Sequence, residues 1–274
     1  MDPTNRYKSF LIGLFVSLES LFLGISFLFQ EIIASNFAQT PEELTTIFTV
    51  IAFRIAVMGI MALFLFHKWF QQDRMYFTDL TFLVGLFYYI LIIGKSFDIL
   101  WVASSNWSYE VLAINLLKAR YILILITMLP ILYLGMGILL YTLSFRYDKL
   151  TEDFRQRLRL YIVVAYIGLG SLFILISNTV YMISYIYPFV VLPTLVGITY
   201  IFIFAHRNQR LAQVNGLIIG ISFIWYAISS SLRPILTSIG PMKFGLWWLA
   251  EILDLGAFIV MFIGYLTKPK YVKS

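Results

Sequence analysis

The sequence predicts an all-α fold: a polytopic integral membrane bundle of eight transmembrane helices, forming one domain over residues 1–274 with no soluble domain. Three observations predict it: an apolar excess, apolar runs of bilayer length, and a one-sided placement of basic residues. Hydrophobic residues make up 61% of the chain and charged residues 12%, against about 45–50% and about 25% in soluble domains. So few charges cannot cover a globular core with a solvated surface. The apolar excess needs lipid as a second solvent.

Eight runs approach or exceed the ~20 residues that cross a hydrocarbon core. They span about 9–33, 44–66, 77–101, 113–143, 159–183, 189–205, 213–236 and 244–267. The fourth is overlong, so one of its ends extends into an interface or into solvent. The sixth is short and begins beside Pro188 and Pro193, residues that suit a first helical turn. If 189–205 were a re-entrant segment, the count of spans would fall to seven. The first run is too long for a signal peptide and lacks a small-residue cleavage site.

Basic residues fix the orientation. Arg6, Lys8, Lys68, Arg74, Arg146, Lys149, Arg155, Arg157, Arg159, Arg207, Arg210, Lys268, Lys270 and Lys273 all fall on one side, 14 of the 20 Lys and Arg. The opposite loops hold only Arg233 and Lys243, around the last of them. The positive-inside rule then places both termini in the cytoplasm, and the plasma membrane is the expected location. The net charge of +6 is explained by these loops and does not indicate nucleic acid as a partner. The largest inner loop, 146–159, is expected to continue the flanking helices. Its bases attract anionic lipid and make it a candidate docking surface for a cytoplasmic or membrane partner. Phe64–Lys68 before Gln71 echoes Phe202–Arg207 before Gln209, and Tyr88-Tyr89 after Gly85 echoes Trp225-Tyr226 after Gly220. A weak four-plus-four parallel repeat would produce that echo.

The informative residues are ionisable groups inside the runs, each costing a few kcal/mol in the bilayer unless compensated. They are Glu19, Arg54, Lys95, Asp98, Lys118, Arg120, Arg233, Glu251 and Asp254. At a rise of about 1.5 Å per residue, Glu19, Arg54 and Asp254 lie too deep to snorkel. These three are the expected members of a buried ion pair or proton relay, with Glu19–Arg54 the first pair to consider. Glu251 and Asp254 are i and i+3 and share a helix face, as do Lys95 and Asp98. Lys118 and Arg120 are two apart and point different ways. Ser229-Ser230-Ser231 adds hydroxyls near Arg233.

In the outer half, five bases (Arg54, Lys95, Lys118, Arg120, Arg233) face three acids (Asp98, Glu251, Asp254). A cavity lined by them favours an anionic small molecule or lipid. There is no cysteine, and the only histidines, His67 and His206, sit at inner helix ends. The metalloprotease, haem, Asp-rich and nucleophile-elbow motifs are all missing, so neither a cofactor nor a metal is expected. The leading expectation is a non-enzymatic, receptor-like or accessory module that binds an anion in an outer cavity. A small secondary transporter comes second, and a lipid-modifying enzyme using Glu251 and Asp254 as acid and base comes third. With no native cysteine, single-cysteine labelling reads the topology directly: residue 150 and the C-terminus should react only after the membrane is permeabilised.

Overall fold

In a computed structural model, the structure describes residues 8–13, 15–17, 20, 24, 27, 30, 31, 34, 41–72, 74–105, 110–145, 147, 150–239 and 246–272. Among these residues there is no strand, and seven helices are long and apolar enough to cross a membrane. They are α1 (Pro41–Phe70), α2 (Leu80–Ser105), α3 (Glu110–Ser144), α4 (Glu152–Ile176), α5 (Val180–Arg207), α6 (Gly216–Ser238) and α7 (Trp247–Leu266). The expected span over 9–33 falls partly outside the described residues, and its described positions are helical. Neither an eighth span nor a four-plus-four repeat is established by them.

Two boundaries differ from the sequence expectation. The fifth span runs over Glu152–Ile176 rather than 159–183, and the helix that carries the sixth starts at Val180, ahead of its apolar span Phe189–Arg207. The break falls at Ser177–Thr179, where the Thr179 hydroxyl accepts from the Met182 N–H at 3.2 Å and satisfies a donor of the first turn. α5 then runs through positions 188 and 193, so neither proline marks its start. Elsewhere the ends follow simple chemistry. Pro41 opens α1, Asn215 caps α6 through Ile218 N, and Glu152 and Asp153 complement the dipole at the start of α4. α3 is 35 residues long and carries Pro130 in its interior.

The helices form a closed ring in the order α1, α2, α3, α5, α6, α7, with α7 returning to α1. α4 packs mainly on α3, outside this ring. Leu160, Val164, Leu169, Leu172 and Leu175 of α4 are exposed apolar side chains, as a lipid-facing helix requires. Two apolar layers fill the ring. A small one gathers Leu44, Ile47, Ile51, Val102, Trp247 and Ala250 at the end where α1 and α7 begin. A larger one, containing Met58, Phe87, Tyr88, Phe202, Phe223 and Phe258, fills the rest. In the larger layer the buried Tyr88 hydroxyl donates to Phe258 O at 2.9 Å. Phe15 of the N-terminal segment lies against Phe66 and Tyr89.

Trp69 suggests an interfacial anchor by sequence position, yet it is buried. Its indole N–H donates to Tyr76 O at 3.2 Å and to Asp79 Oδ2 at 3.1 Å, closing the turn between α1 and α2.

The approach of α5 to α6 depends on Gly216 and Gly220, spaced as the small-x-x-x-small pattern of packed membrane helices. A Cβ on Gly216 would stand 2.6 Å from Phe202 O, and one on Gly220 would stand 2.5 Å from Ile203 Cγ1. Gly216→Ala should therefore destabilise the purified protein by about 1–3 kcal/mol, the usual effect of overpacking, read as a lower melting temperature in detergent. Gly94→Ala, which meets nothing within 4 Å, is the control and should leave it unchanged.

Candidate functional site

Between the two apolar layers lies a layer of charge. α1 supplies Arg54, α2 supplies Lys95 and Asp98, α3 supplies Arg120, α6 supplies Ser229 and Arg233, and α7 supplies Glu251 and Asp254. Arg54, Asp98, Glu251 and Asp254 are each 1% exposed. Snorkelling is thus excluded for these four, and each is stable in an apolar bundle only with charged or polar partners.

The two acids of α7 are the hub. Arg54 Nη1 contacts Glu251 Oε2 and donates to Asp254 Oδ2 at 3.0 Å. Arg233 grips the same two residues, through Nη1 to Glu251 Oε1 at 2.5 Å and through Nη2 to Asp254 Oδ2. One helical turn of α7 therefore joins α1 to α6, because the i, i+3 spacing sets both carboxylates on one face. Lys95 Nζ donates to Glu251 Oε1 at 2.9 Å and to Asp98 Oδ2 at 2.6 Å, which extends the network into α2. Asp98 in turn pairs with Arg120 Nε of α3. The Ser229 hydroxyl donates to Asp254 Oδ1 at 2.6 Å. Aromatic faces complete the setting: the Arg54 guanidinium lies 5.2 Å from the Phe258 ring centroid and that of Arg120 lies 5.3 Å from Trp101.

Six of the seven residues expected to line an anion site come together here: Arg54, Lys95, Arg120, Arg233, Glu251 and Asp254. Asp98 joins them. Lys118 does not, and this corrects the expected charge count. Its ammonium turns outward and donates to Leu175 O at 2.9 Å, near the end of α4. Residues two apart on a helix face different ways, and burial selects Arg120 for the interior. Glu19 lies outside the described residues; among those described, the acids that pair with Arg54 are the two of α7. Among the described residues the layer holds four bases and three acids, an excess of one rather than the two counted with Lys118.

Beside the layer is a cavity of about 80 Å³. That is several times the roughly 10–15 Å³ that admits one water. All four bases line it, but only Asp98 and Asp254 of the acids do. Tyr121, Thr127, Tyr226 and Ser230 add hydroxyls to its wall. Arg54 Nε is buried and has no hydrogen-bond partner among the described residues. Tyr226 is recognisable in the sequence as a deep aromatic. Thr127 and Tyr121 carry no such signal, since one hydroxyl on an apolar helix usually bonds its own backbone, as Thr127 does to Leu123 O. Among the described residues, no group of three or more His, Asp or Glu side chains is placed to hold a metal ion.

No family model, curated protein or solved structure matches the chain.

Removing one member of a buried pair strands the other. Arg54→Leu and Glu251→Gln should each lower stability by about 3–5 kcal/mol, and the double variant should lose less than the sum. A double-mutant cycle of thermal melts checks both statements. Lys118→Gln should change stability far less.

Proposed function

We propose that the chain is a non-enzymatic, receptor-like or accessory membrane module that binds a small anion, or the anionic end of a larger molecule or lipid, in the cavity beside the charged layer. The observation that carries this reading is the cavity wall, where four bases meet two carboxylates. A guanidinium has five N–H donors in a fixed fork, so arginines already paired with an acid keep capacity for a second anion. The size of the cavity suits a carboxylate, a phosphate-like group or a simple inorganic anion, and a lipid would enter by its headgroup alone. With eight spans and cytoplasmic termini, the cavity opens in the outer half of the membrane.

A second reading, a small proton-coupled secondary transporter with parallel halves, draws support from the sharing of Glu251 and Asp254 between two arginines. An incoming anion that drew Arg233 away would leave a carboxylate able to take a proton. The enzyme reading gains no such support, since only Asp254 of its acid and base reaches the cavity wall.

Thermal melts of the purified protein with formate, acetate, phosphate, sulfate and acidic lipids test the binding reading. Stabilisation should follow RT ln(1 + [L]/Kd), about 2.7 kcal/mol at a hundredfold excess over Kd. It should shrink in high salt and in Arg120→Gln. If no anion stabilises the protein, the reading fails. Anion uptake by proteoliposomes under a proton gradient would favour the transporter instead.

A further inference from the structure

A larger cavity, of about 290 Å³, lies between α3 and α4, towards the opposite end of the bundle from the charged layer. Gly137 and Tyr141 of α3 and Glu152, Arg155, Gln156 and Arg159 of α4 line it. Both arginines are held in place by groups other than carboxylates. Arg159 Nε donates to Tyr133 O at 2.6 Å, and its guanidinium carbon lies 3.2 Å from the Tyr133 ring centroid. Arg155 Nη1 donates to Ser144 Oγ at 3.1 Å, and Arg155 Nε is buried without a hydrogen-bond partner among the described residues. None of the ion pairs among the described residues includes either arginine. Two fixed guanidinium groups thus face one cavity with no acid among the described residues paired to them.

Gly137 makes this seat. A Cβ there would stand 2.9 Å from Arg159 Cζ and 3.1 Å from Nη2, so any larger residue displaces the guanidinium. The depth matters as well. Arg159 follows the start of α4, and Gly137 precedes the end of α3, by about 10 Å of helix. α4 has 25 residues, roughly 37 Å, and so overhangs a hydrocarbon core of about 30 Å. An overhang at this charged end brings both guanidinium groups to the level where lipid phosphates meet the acyl chains.

We propose that the cavity is a phosphate site, in which Arg155 and Arg159 bind the headgroup phosphate of an acidic glycerophospholipid or a soluble phosphate ester of the same chemistry. Planar guanidinium forks match phosphate oxygens in pairs. Glu152, on the same wall, disfavours a second negative group and accepts from a headgroup hydroxyl. Such binding differs from the general attraction of loop bases to an acidic surface, since it requires the Gly137 seat. It does not depend on the charged layer.

The test uses the full chain in neutral detergent. Native mass spectrometry measures retention of phosphatidylglycerol against phosphatidylcholine, and thermal melts are run with each lipid and with inorganic phosphate. The unaltered protein should prefer phosphatidylglycerol, and about tenfold of that preference should vanish in Arg159→Gln and in Gly137→Ala, which keeps every charge. Arg157→Gln, an exposed base outside the cavity, should retain it. Stabilisation by inorganic phosphate without a lipid preference, lost in the same two variants, would assign the site to a soluble phosphate. Equal loss in all three variants would reduce the effect to surface charge and overturn the proposal, as would no loss in Arg159→Gln. If Gly137→Ala does not fold, Arg159→Lys replaces it: the charge stays, the fork goes, and an undiminished preference would again overturn the site.

Discussion

The ring of helices depends on two carboxylates one turn apart on α7. Glu251 and Asp254 bind Arg54 of α1 and Arg233 of α6, and Glu251 also binds Lys95 of α2. Each of these groups would be costly in lipid by itself, by a few kcal/mol on insertion scales. Once all are buried in one layer, every helix that contributes must come to the same level and turn the same face inward. The register of the ring is therefore tied to charge as well as to packing. Apolar side chains alone specify it weakly, because lipid tails solvate Leu and Phe about as well as a neighbouring helix does.

The same layer explains why the ring closes between α1 and α7. These helices lie at opposite ends of the described bundle in sequence, and two paired cation–acid contacts bridge them. Among the described residues, α5 gives nothing to the layer. Its place is set by the glycines of α6, which bring the two backbones close, and by the aromatic contact of Phe202 with Phe223. α4 also approaches its neighbour at a glycine, Gly170, where a Cβ would stand 2.6 Å from Leu125 Cδ1 of α3. It stands outside the ring, joined to α3 through Arg159 and Lys118, each donating to a backbone carbonyl across that interface.

Two cavities arise from these two packing modes, and they differ in chemistry. The inner one sits within a network where every base already meets an acid, so a ligand there competes with, or completes, existing pairs. The one at α3–α4 presents arginines held by a carbonyl, a hydroxyl and aromatic faces, with no carboxylate paired to them among the described residues. An anion in the inner cavity would be felt by five helices at once. One at α3–α4 would bear on a single peripheral contact.

Composition and spacing alone determined the apolar, helical class of this protein and that Arg54 and Asp254 had to be buried. Hydropathy reports each residue's own transfer energy, and periodicity places i and i+3 residues on one face, so Lys95–Asp98 and Glu251–Asp254 were readable as pairs. The N-terminal edge of α5 was not, because Thr179 caps a helix whose later prolines looked like its beginning. The choice between Lys118 and Arg120, the pairing of Arg54 with both acids of α7 and the cavity at Gly137 were likewise decided only in three dimensions. Each depends on which helices are neighbours and how each is rotated, and a single apolar helix carries no record of its partner. The tertiary structure alone brought charges up to 200 residues apart into contact, because only a closed ring can neutralise them away from water.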